Sequence, residues 1–313
     1  MNKYVKFKAD AATHVEVSKA QAGQRIDNFL TRYLKRVPRS HVYRILSSGE
    51  VRVNKGRVKP SYRLETDDRV RIPPVRTGAR ALIAVPEATL ARLEASVLLE
   101  DEDLIVLNKP AGLAVHGGSG LDYGIIEALR QARPHAPMLE LVHRLDRNTS
   151  GCLLIAKSRG ILSSLHALLR EGKVDKRYIA LLAGSWNGNA RTVTAPLARL
   201  AASEQVVVRT DGKEAQSVFT PLTRFKQSTL AEVRIDTGRM HQIRVHAAHL
   251  GIPVAGDARY GDYAFNRALR ARGLRRMFLH AVRLSFRVPQ SGHRYSIVAP
   301  LDAQLQRLLT NLS

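Results

Sequence analysis

With 313 residues the chain can bury a sizeable core, and it is expected to divide into two domains, since single cores stop growing at roughly 250 residues. A hydrophobic content of 44% excludes a disordered chain, and the lone Cys152 excludes a disulfide framework and any multi-cysteine zinc site. Fifty Lys and Arg against 27 Asp and Glu give a net charge of +23, which favours a polyanionic partner through phosphate neutralisation and counterion release. The charge is uneven: residues 1–85 carry 19 basic against 7 acidic side chains. No apolar run approaches the roughly 20 residues of a membrane span. No amphipathic Lys/Arg helix with Trp or Phe on its apolar face speaks for an anionic membrane surface. The first residues, Met1 to Lys6, lack the apolar core of a secretory signal, so a reducing cytoplasm is the default location.

Residues 1–22 read as a basic leader with one strand near Thr13 to Val17. Ile26, Phe29, Leu30, Tyr33 and Leu34 recur at helical spacing, opposite Arg25, Arg32, Lys35 and Arg36, and Pro38 stops that helix. Ser40 is placed to cap a second helix with Val42, Ile45 and Leu46 inward, ended by Gly49. Val51 to Val53, the turn Asn54-Lys55-Gly56, and Arg69 to Ile72 alternate as short strands. This helix–helix–hairpin module, residues 23–76, resembles the S4 RNA-binding domain. Gly23 to Leu30, the run Ser40, Tyr43, Leu46, Gly49, Val51, Val53, Asn54, and then Asp67-Asp68 carry the likeness. The resemblance implies RNA contacts from Arg39, Ser40, Tyr43, Arg44, Arg52, Asn54 and Lys55, a face that tracks phosphate and positions the chain without reading sequence. A linker is expected over 77–90, beyond Pro73-Pro74.

A larger domain is expected over 91–313. Val97 to Glu100 and Leu104 to Leu107 read as strands around an acidic turn. Of the glycines that follow, Gly118, Gly120 and Gly124 miss the dinucleotide spacing by one residue, so the cluster reads as permissive backbone along a substrate groove. A helix from Tyr123 to Ala132 precedes the densest polar stretch of the chain, His143-Arg144-Leu145-Asp146-Arg147-Asn148-Thr149-Ser150-Gly151, set between two apolar strands. By itself this stretch could be a solvated turn. Beyond Ser158 a helix runs to Gly172, and a strand follows from Lys176 to Leu182. Asp211-Gly212 signals a hairpin between Val206–Arg209 and Ala215–Phe219. After a strand ending at Ile235, a helix is expected to start at Thr237 or Gly238 and to end at Gly251. His241, His246 and His249 lack zinc-protease spacing, and their basic surroundings disfavour a cation. Alternating strands, hairpins and short helices predict an α+β fold with a mixed, mostly antiparallel central sheet flanked by helices.

Four ordered motifs behind the S4 module resemble the RluA-type pseudouridine synthases over nearly the whole chain. They are Asn108-Lys109-Pro110-x-Gly112 through Gly120; His143 to Asp146 with Thr149-Ser150-Gly151; Lys176-x-Tyr178; and Thr237-Gly238-Arg239-x-His241-Gln242-Ile243-Arg244-Val245-His246. The stretch His116-Gly117-Gly118-Ser119-Gly120 points to the branch acting on large-subunit (23S) ribosomal RNA, at several uridines. The implied reaction breaks the N1–C1′ bond of a uridine, turns the base and rejoins it through C5. It needs no nucleotide cofactor and no metal. The resemblance makes Asp146 the catalytic carboxylate, acting at C1′, on the base or at the C2′ proton. Arg239 is then its expected salt-bridge partner, holding it ionised and oriented. Tyr178 stacks on uracil or accepts the C5 proton, and Arg144 fills the space of the flipped base. The implied partner is 23S RNA or its assembling particle, met by a monomer, because one chain supplies every motif. A non-catalytic S4-bearing assembly factor and a nucleoside hydrolase are the rival classes.

Overall fold

Ile26, Phe29, Leu30 and Leu34 turn one stripe inward onto Val42, Ile45, Leu46, Val53, Val70 and Ile72 in the computed structural model of the chain. The structure describes residues 11–19, 21–34, 37, 39–75, 85–117, 121–186, 188–200 and 205–312; the side chains of Arg39 and Ser40, with residues 77–84 of the expected linker, fall outside this set. The chain divides into two units, 1–83 and 84–313.

In the first unit, β1 (Thr13–Glu16), α1 (Ile26–Tyr33), α2 (Arg39–Ser47), β2 (Arg52–Val53), β3 (Gly56–Arg57) and β4 (Arg69–Ile72) follow one another. Helix α2 begins one residue before the expected cap, so Ser40 lies within it. The sheet order is β1-β4-β2-β3, antiparallel throughout. Asn54 and Lys55 take left-handed backbone, φ 49° and 70°, which closes the two-residue β2–β3 hairpin with the twist that strands require.

The second unit runs α3 (Glu87–Glu94), β5 (Val97–Glu100), β6 (Leu104–Lys109), α4 (Ile125–Ala132), β7 (Glu140–Leu141), β8 (Ser150–Ala156), α5 (Arg159–Arg170) and β9 (Asp175–Ala183). It continues with β10 (Arg191–Thr194), β11 (Leu197–Arg199), β12 (Val206–Val208), β13 (Gln216–Arg224), β14 (Ser228–Ile235), α6 (Gln242–His249), α7 (Tyr263–Ala271), β15 (Leu279–Arg287), β16 (Arg294–Val298) and α8 (Ala303–Leu312). The main sheet is ordered β10-β13-β14-β9-β15-β8-β6-β5, with β16 on β15 and β7 on β8. Its described pairings are antiparallel except β15 with β8. The mixed, mostly antiparallel sheet with helices is the architecture the sequence predicts.

Both faces of the sheet centre are covered, which is why β6 and β8 read as unbroken apolar runs. Ile105, Leu107, Leu153 and Ile155 pack with α4 on one side; Leu104, Val106, Cys152 and Leu154 pack with α5 on the other. Ser158 Oγ accepts the Ile161 N–H and starts α5. The hairpin expected at Asp211-Gly212 is not formed. A turn is present, Gly212 N–H donating to Arg209 C=O, but β12 pairs with β11, and β13 pairs with β10 and β14. The reason is packing: Leu197 and Val206 bury themselves with Val245 of α6 in a small core of their own, which draws β12 away from β13.

Candidate active site

The loop 142–149 between β7 and β8 is held from both ends and from behind. Leu154 N–H donates to His143 Nε2 at 3.1 Å, and burial with the nearby Lys176 pushes the His143 pKa down to about 4, so the ring stays a neutral acceptor. At the far end Gly151 has φ +107°, and a Cβ there would run into the Ala281 backbone of β15. Only glycine lets β8 pass β15 at this parallel crossing. Behind the loop, the Arg147 carbonyl accepts from Gly112 N at 2.8 Å and from Lys109 Nζ at 3.0 Å. Lys109 is fully buried, and its Nζ also donates to the Pro110 carbonyl at 2.9 Å. Burial and the Arg276 charge bring its pKa down to about 7. A neutral amine has two N–H donors, matching the two carbonyls it meets.

This clamp presents Asp146 to a pocket whose walls come from β9, from β15 and from the segment joining β14 to α6. Empty space of about 500 Å³, including the mouth, lies there, within the usual range for a small-ligand site. Asp146 Oδ2 accepts from Arg244 Nη1 at 3.0 Å. Among the described residues Asp146 Oδ1 has no hydrogen-bond partner. Arg244 is itself gripped bidentately by Asp257, Nε to Oδ2 at 2.7 Å and Nη2 to Oδ1 at 2.9 Å. Burial would raise the Asp257 pKa, but the hydrogen bonds and charge of Arg244 outweigh it and hold the carboxyl below its ordinary value. An arginine between two carboxylates, only 11% exposed, has its donors fixed in direction before anything binds. Tyr178, on β9, lines the pocket with its ring 8% exposed, and burial together with the Asp146 charge pushes its phenol pKa well up, so it stays protonated.

The sequence expectations meet this site unevenly. Asp146, Tyr178, Arg239 and Arg144 all line the pocket. The ion pair expected of Arg239, however, is made by Arg244. Arg239 Nε donates instead to the Glu214 carbonyl at 3.0 Å. The cause is a late helix start. Gln242 Oε1 takes the Arg239 N–H and the Thr237 hydroxyl, and His241 adopts left-handed backbone with φ 54°, so α6 begins only at Gln242. The first turn of α6 therefore aims Arg244 at Asp146, while Arg239 stays on the preceding loop. Asp257 and Tyr260 carry no signal in the sequence. They lie more than 100 residues beyond Asp146, and no local pattern ties them to it. His246 is buried, with ring contacts to Ser217 Oγ and the Ala195 carbonyl, a structural placement. Arg144 is exposed at the mouth, where an adjoining groove is lined by Arg199, Lys213 and Arg239. Gly118, Ser119 and Gly120 lie outside the described residues.

In the first unit, Tyr43 is 39% exposed and its hydroxyl donates to the buried Asp27 at 2.8 Å. Arg44 pairs with Glu50 at 3.2 Å, and Arg52 Nη1 reaches the Lys55 carbonyl at 3.4 Å. Asn54 braces the β2–β3 turn: its amide donates to Asp68 Oδ1 at 2.7 Å, and its oxygen accepts from Arg69 N at 2.9 Å. The polar groups of Asn54 are thus engaged within the protein, whereas Arg52 and Lys55 stand exposed.

Two family models match the chain: RNA pseudouridylate synthase over residues 103–249 and S4 domain over residues 24–70. A protein of Pasteurella multocida (strain Pm70), named ribosomal large subunit pseudouridine synthase C, is 49% identical over 304 residues, covering 96% of this chain and 93% of that one. The protein of the same name from Escherichia coli (strain K12) is 50% identical over 305 residues, 95% and 96% of the two chains. Among solved structures, human RNA pseudouridylate synthase domain containing 4 superposes with a TM-score of 0.60 at 26% identity, over 72% of this chain and 95% of that one.

Proposed function

Because the chain belongs to the RNA pseudouridylate synthase family, we propose that it isomerises uridine to pseudouridine in large-subunit (23S) ribosomal RNA, at several positions. The observation that carries this reading is the placement of Asp146: one carboxylate oxygen is tied to Arg244, and the residue lines a pocket together with Tyr178. A carboxylate held by a fixed guanidinium is aimed before substrate arrives, which is what an anion acting first on a nucleoside requires. The uridine enters with its ribose toward Asp146 and its base toward Tyr178. Asp146 opens the reaction, by adding to C1′ or the base or by taking the C2′ proton, and the N1–C1′ bond breaks. The uracil turns, C5 bonds to C1′, and the proton lost from C5 is balanced by the one gained at N1. Tyr178, kept protonated by burial and by the Asp146 charge, supports the base by stacking. Arg244 holds the carboxylate, and Arg239 and Arg144 face the RNA at the mouth, where Arg144 fills the place the base has left.

The S4 unit anchors the RNA backbone through Arg52, Lys55, Arg44 and Tyr43, with Arg39 and Ser40 on the same helix. The net charge supports a phosphate-rich partner, met in the cytoplasm, as naked RNA or an assembling particle. One chain supplies every catalytic motif, so a monomer suffices. No helix among the described residues is long and apolar enough to cross a membrane.

The test is carbodiimide mapping of unmodified large-subunit RNA, and of immature particles, after incubation with the wild type or Asp146→Asn. New reverse-transcription stops with wild type alone, at several uridines, are expected, with RNA affinity of the variant within about twofold. Binding without stops on either substrate would move the protein to the class of assembly factors.

A further inference from the structure

Tyr260 lines none of the pocket wall, yet it touches both residues that approach Asp146 from behind. It follows Asp257 in a turn wound on that carboxylate: Arg259 N and Tyr260 N both donate to Asp257 Oδ1, at 2.9 and 3.2 Å. The Tyr260 ring carries the Arg244 guanidinium, whose Cζ lies 5.0 Å from the ring centroid. Its edge-on neighbour is His241, ring centroids 5.5 Å apart. Its hydroxyl meets two further groups, the Val206 N–H of β12 at 2.9 Å and His241 Nδ1 at 2.9 Å. Met240 and Tyr260 pack against the same small core that joins the β11–β12 hairpin to α6.

The direction of the hydroxyl bond follows from its neighbours. A phenol has one proton to give, and Val206 N–H can only donate to it. His241 Nε2 stands 3.8 Å from Asp146 Oδ2. A neutral imidazole with its lone pair on Nε2 would point that lone pair at the carboxylate, whereas the tautomer with the proton on Nε2 points an N–H at it. The Tyr260 O–H then donates to Nδ1 and fixes the favourable tautomer. Burial lowers the His241 pKa despite Asp146, with Arg244 and Arg259 adding to the fall and Asp257 opposing it; these are the charged groups that face the ring. His241 is also held at φ 54°, an uncommon conformation for a residue with a side chain, kept here by the turn that delays α6.

We propose that Tyr260 is a positioning residue for the catalytic carboxylate, acting through His241: its hydroxyl, seated on the Val206 N–H of the β11–β12 hairpin, sets the Nε2–H tautomer that faces Asp146. The hairpin borders the basic groove at the pocket mouth, so RNA lying in that groove touches the element on which the hydroxyl is seated. Arrival of the correct RNA and orientation of Asp146 are thereby linked through one hydroxyl. This inference rests on the isomerase reading above for its kinetic consequence, and on geometry alone for its spectroscopic one.

The experiment pairs single-turnover kinetics on a large-subunit RNA fragment with 15N–1H correlation spectra of the histidine rings. Tyr260→Phe keeps the ring beneath Arg244 and removes only the hydroxyl; a loss of about tenfold in the rate of the bound step, with KM within twofold, is expected. His241→Asn, chosen because asparagine tolerates left-handed backbone, should lose a similar factor. Combining the two should cost no more than the worse single variant. Multiplication of the two losses, or a Tyr260→Phe rate within twofold of wild type, would overturn the proposal, because a hydroxyl that merely tethers the hairpin acts whether or not His241 is present. The wild-type spectrum is a second arm that needs no variant beyond His241→Asn for assignment. A neutral Nε2–H signal at His241 supports the proposal, and an Nδ1–H signal sinks it. If that signal is as expected while wild type forms no pseudouridine, the isomerase reading fails and the geometric inference stands.

Discussion

Arginine is used in opposite ways in the two units. Across the outer face of the S4 sheet, Arg57 stands opposite Arg52 on β2, and Arg52 opposite Arg71 on β4, with His14 next in the same row. Direct cross-strand pairing of like charges works against the sheet. In the second unit Arg244 lies between Asp146 and Asp257, with Tyr260 beneath it, and its Nε, Nη1 and Nη2 each donate to a carboxylate oxygen. The first arrangement is unfinished without an anion supplied from outside. The second is finished within the chain. A surface that must accept many phosphates can leave its charges unmatched and solvated, while a carboxylate that must act at one atom needs its partner in place beforehand. The same side chain thus weakens its surroundings in one place and organises them in the other.

The most damaging way to break this contrast is to remove the central arginine. Arg244→Met leaves Asp257, whose side chain is fully buried, without its counter-ion. An uncompensated buried charge of that kind costs about 3–5 kcal/mol, so urea unfolding should show a loss of that order. The rate of pseudouridine formation should fall by about a hundredfold or more, because Asp146 loses its orientation. Arg239→Met, from the same motif, should leave stability unchanged and weaken RNA binding a few-fold, since among the described residues that side chain holds a backbone carbonyl and no carboxylate. Equal stability losses in the two variants would erase the distinction between them.

Lys109 sharpens the contrast from the other side, as a buried amine whose described hydrogen bonds go to backbone carbonyls and not to a carboxylate. Its pKa is brought from 10.5 to about 7, so between those values the unfolded chain binds a proton that the folded chain does not. Folding stability from this group therefore rises with pH from about 7 toward about 10.5, at roughly 1.4 kcal/mol per unit, and its burial penalty is fully present below pH 7. Lys109→Met has no such dependence. The difference in unfolding free energy between wild type and Lys109→Met should move in favour of wild type as pH is raised through that window, by up to about 5 kcal/mol in all. A pH-independent difference would mean that Lys109 keeps its proton behind the loop, leaving it a third donor for which the two carbonyls offer no place.

These contrasts are partly legible in the sequence. The loop around Asp146 announces itself because its apolar neighbours on β8 are buried on both faces, so its polar residues have nowhere to be but at the strand end. The S4 stripe from Ile26 to Leu34 is equally plain, since helical spacing is a local property. The choice between Arg239 and Arg244 is not a local matter. It turns on whether the helix begins before or after His241, and the capping reach of Gln242 back to Thr237 and Arg239 decides that through side-chain hydrogen bonds. Asp211-Gly212 misleads for a related reason: it makes a turn, but the destination of β12 depends on Val245, far along the chain in α6. Asp257 and Tyr260 give no signal, because their meaning lies in contacts with Arg244 and His241.

The smallest expected effect lies on the S4 sheet and has an unusual sign. Replacing Arg52 by Ser removes the middle member of the row Arg57, Arg52, Arg71 and relieves two like-charge contacts at once. The melting temperature should rise slightly at low salt, and the rise should vanish near 1 M salt, where screening reaches about 3 Å. RNA affinity should fall a few-fold, and the slope of log affinity against log salt should flatten by roughly 0.7–0.9, the value of one phosphate contact. The rate for bound RNA should not change, because Arg52 orients nothing at the carboxylate. A fall in melting temperature would show that Arg52 works inside its own unit, through its reach to the Lys55 carbonyl across the turn, and the contrast between unmatched and matched arginines would then fail at its weakest point. A small gain in stability joined to a loss of affinity would mean that the sheet tolerates this repulsion because RNA relieves it.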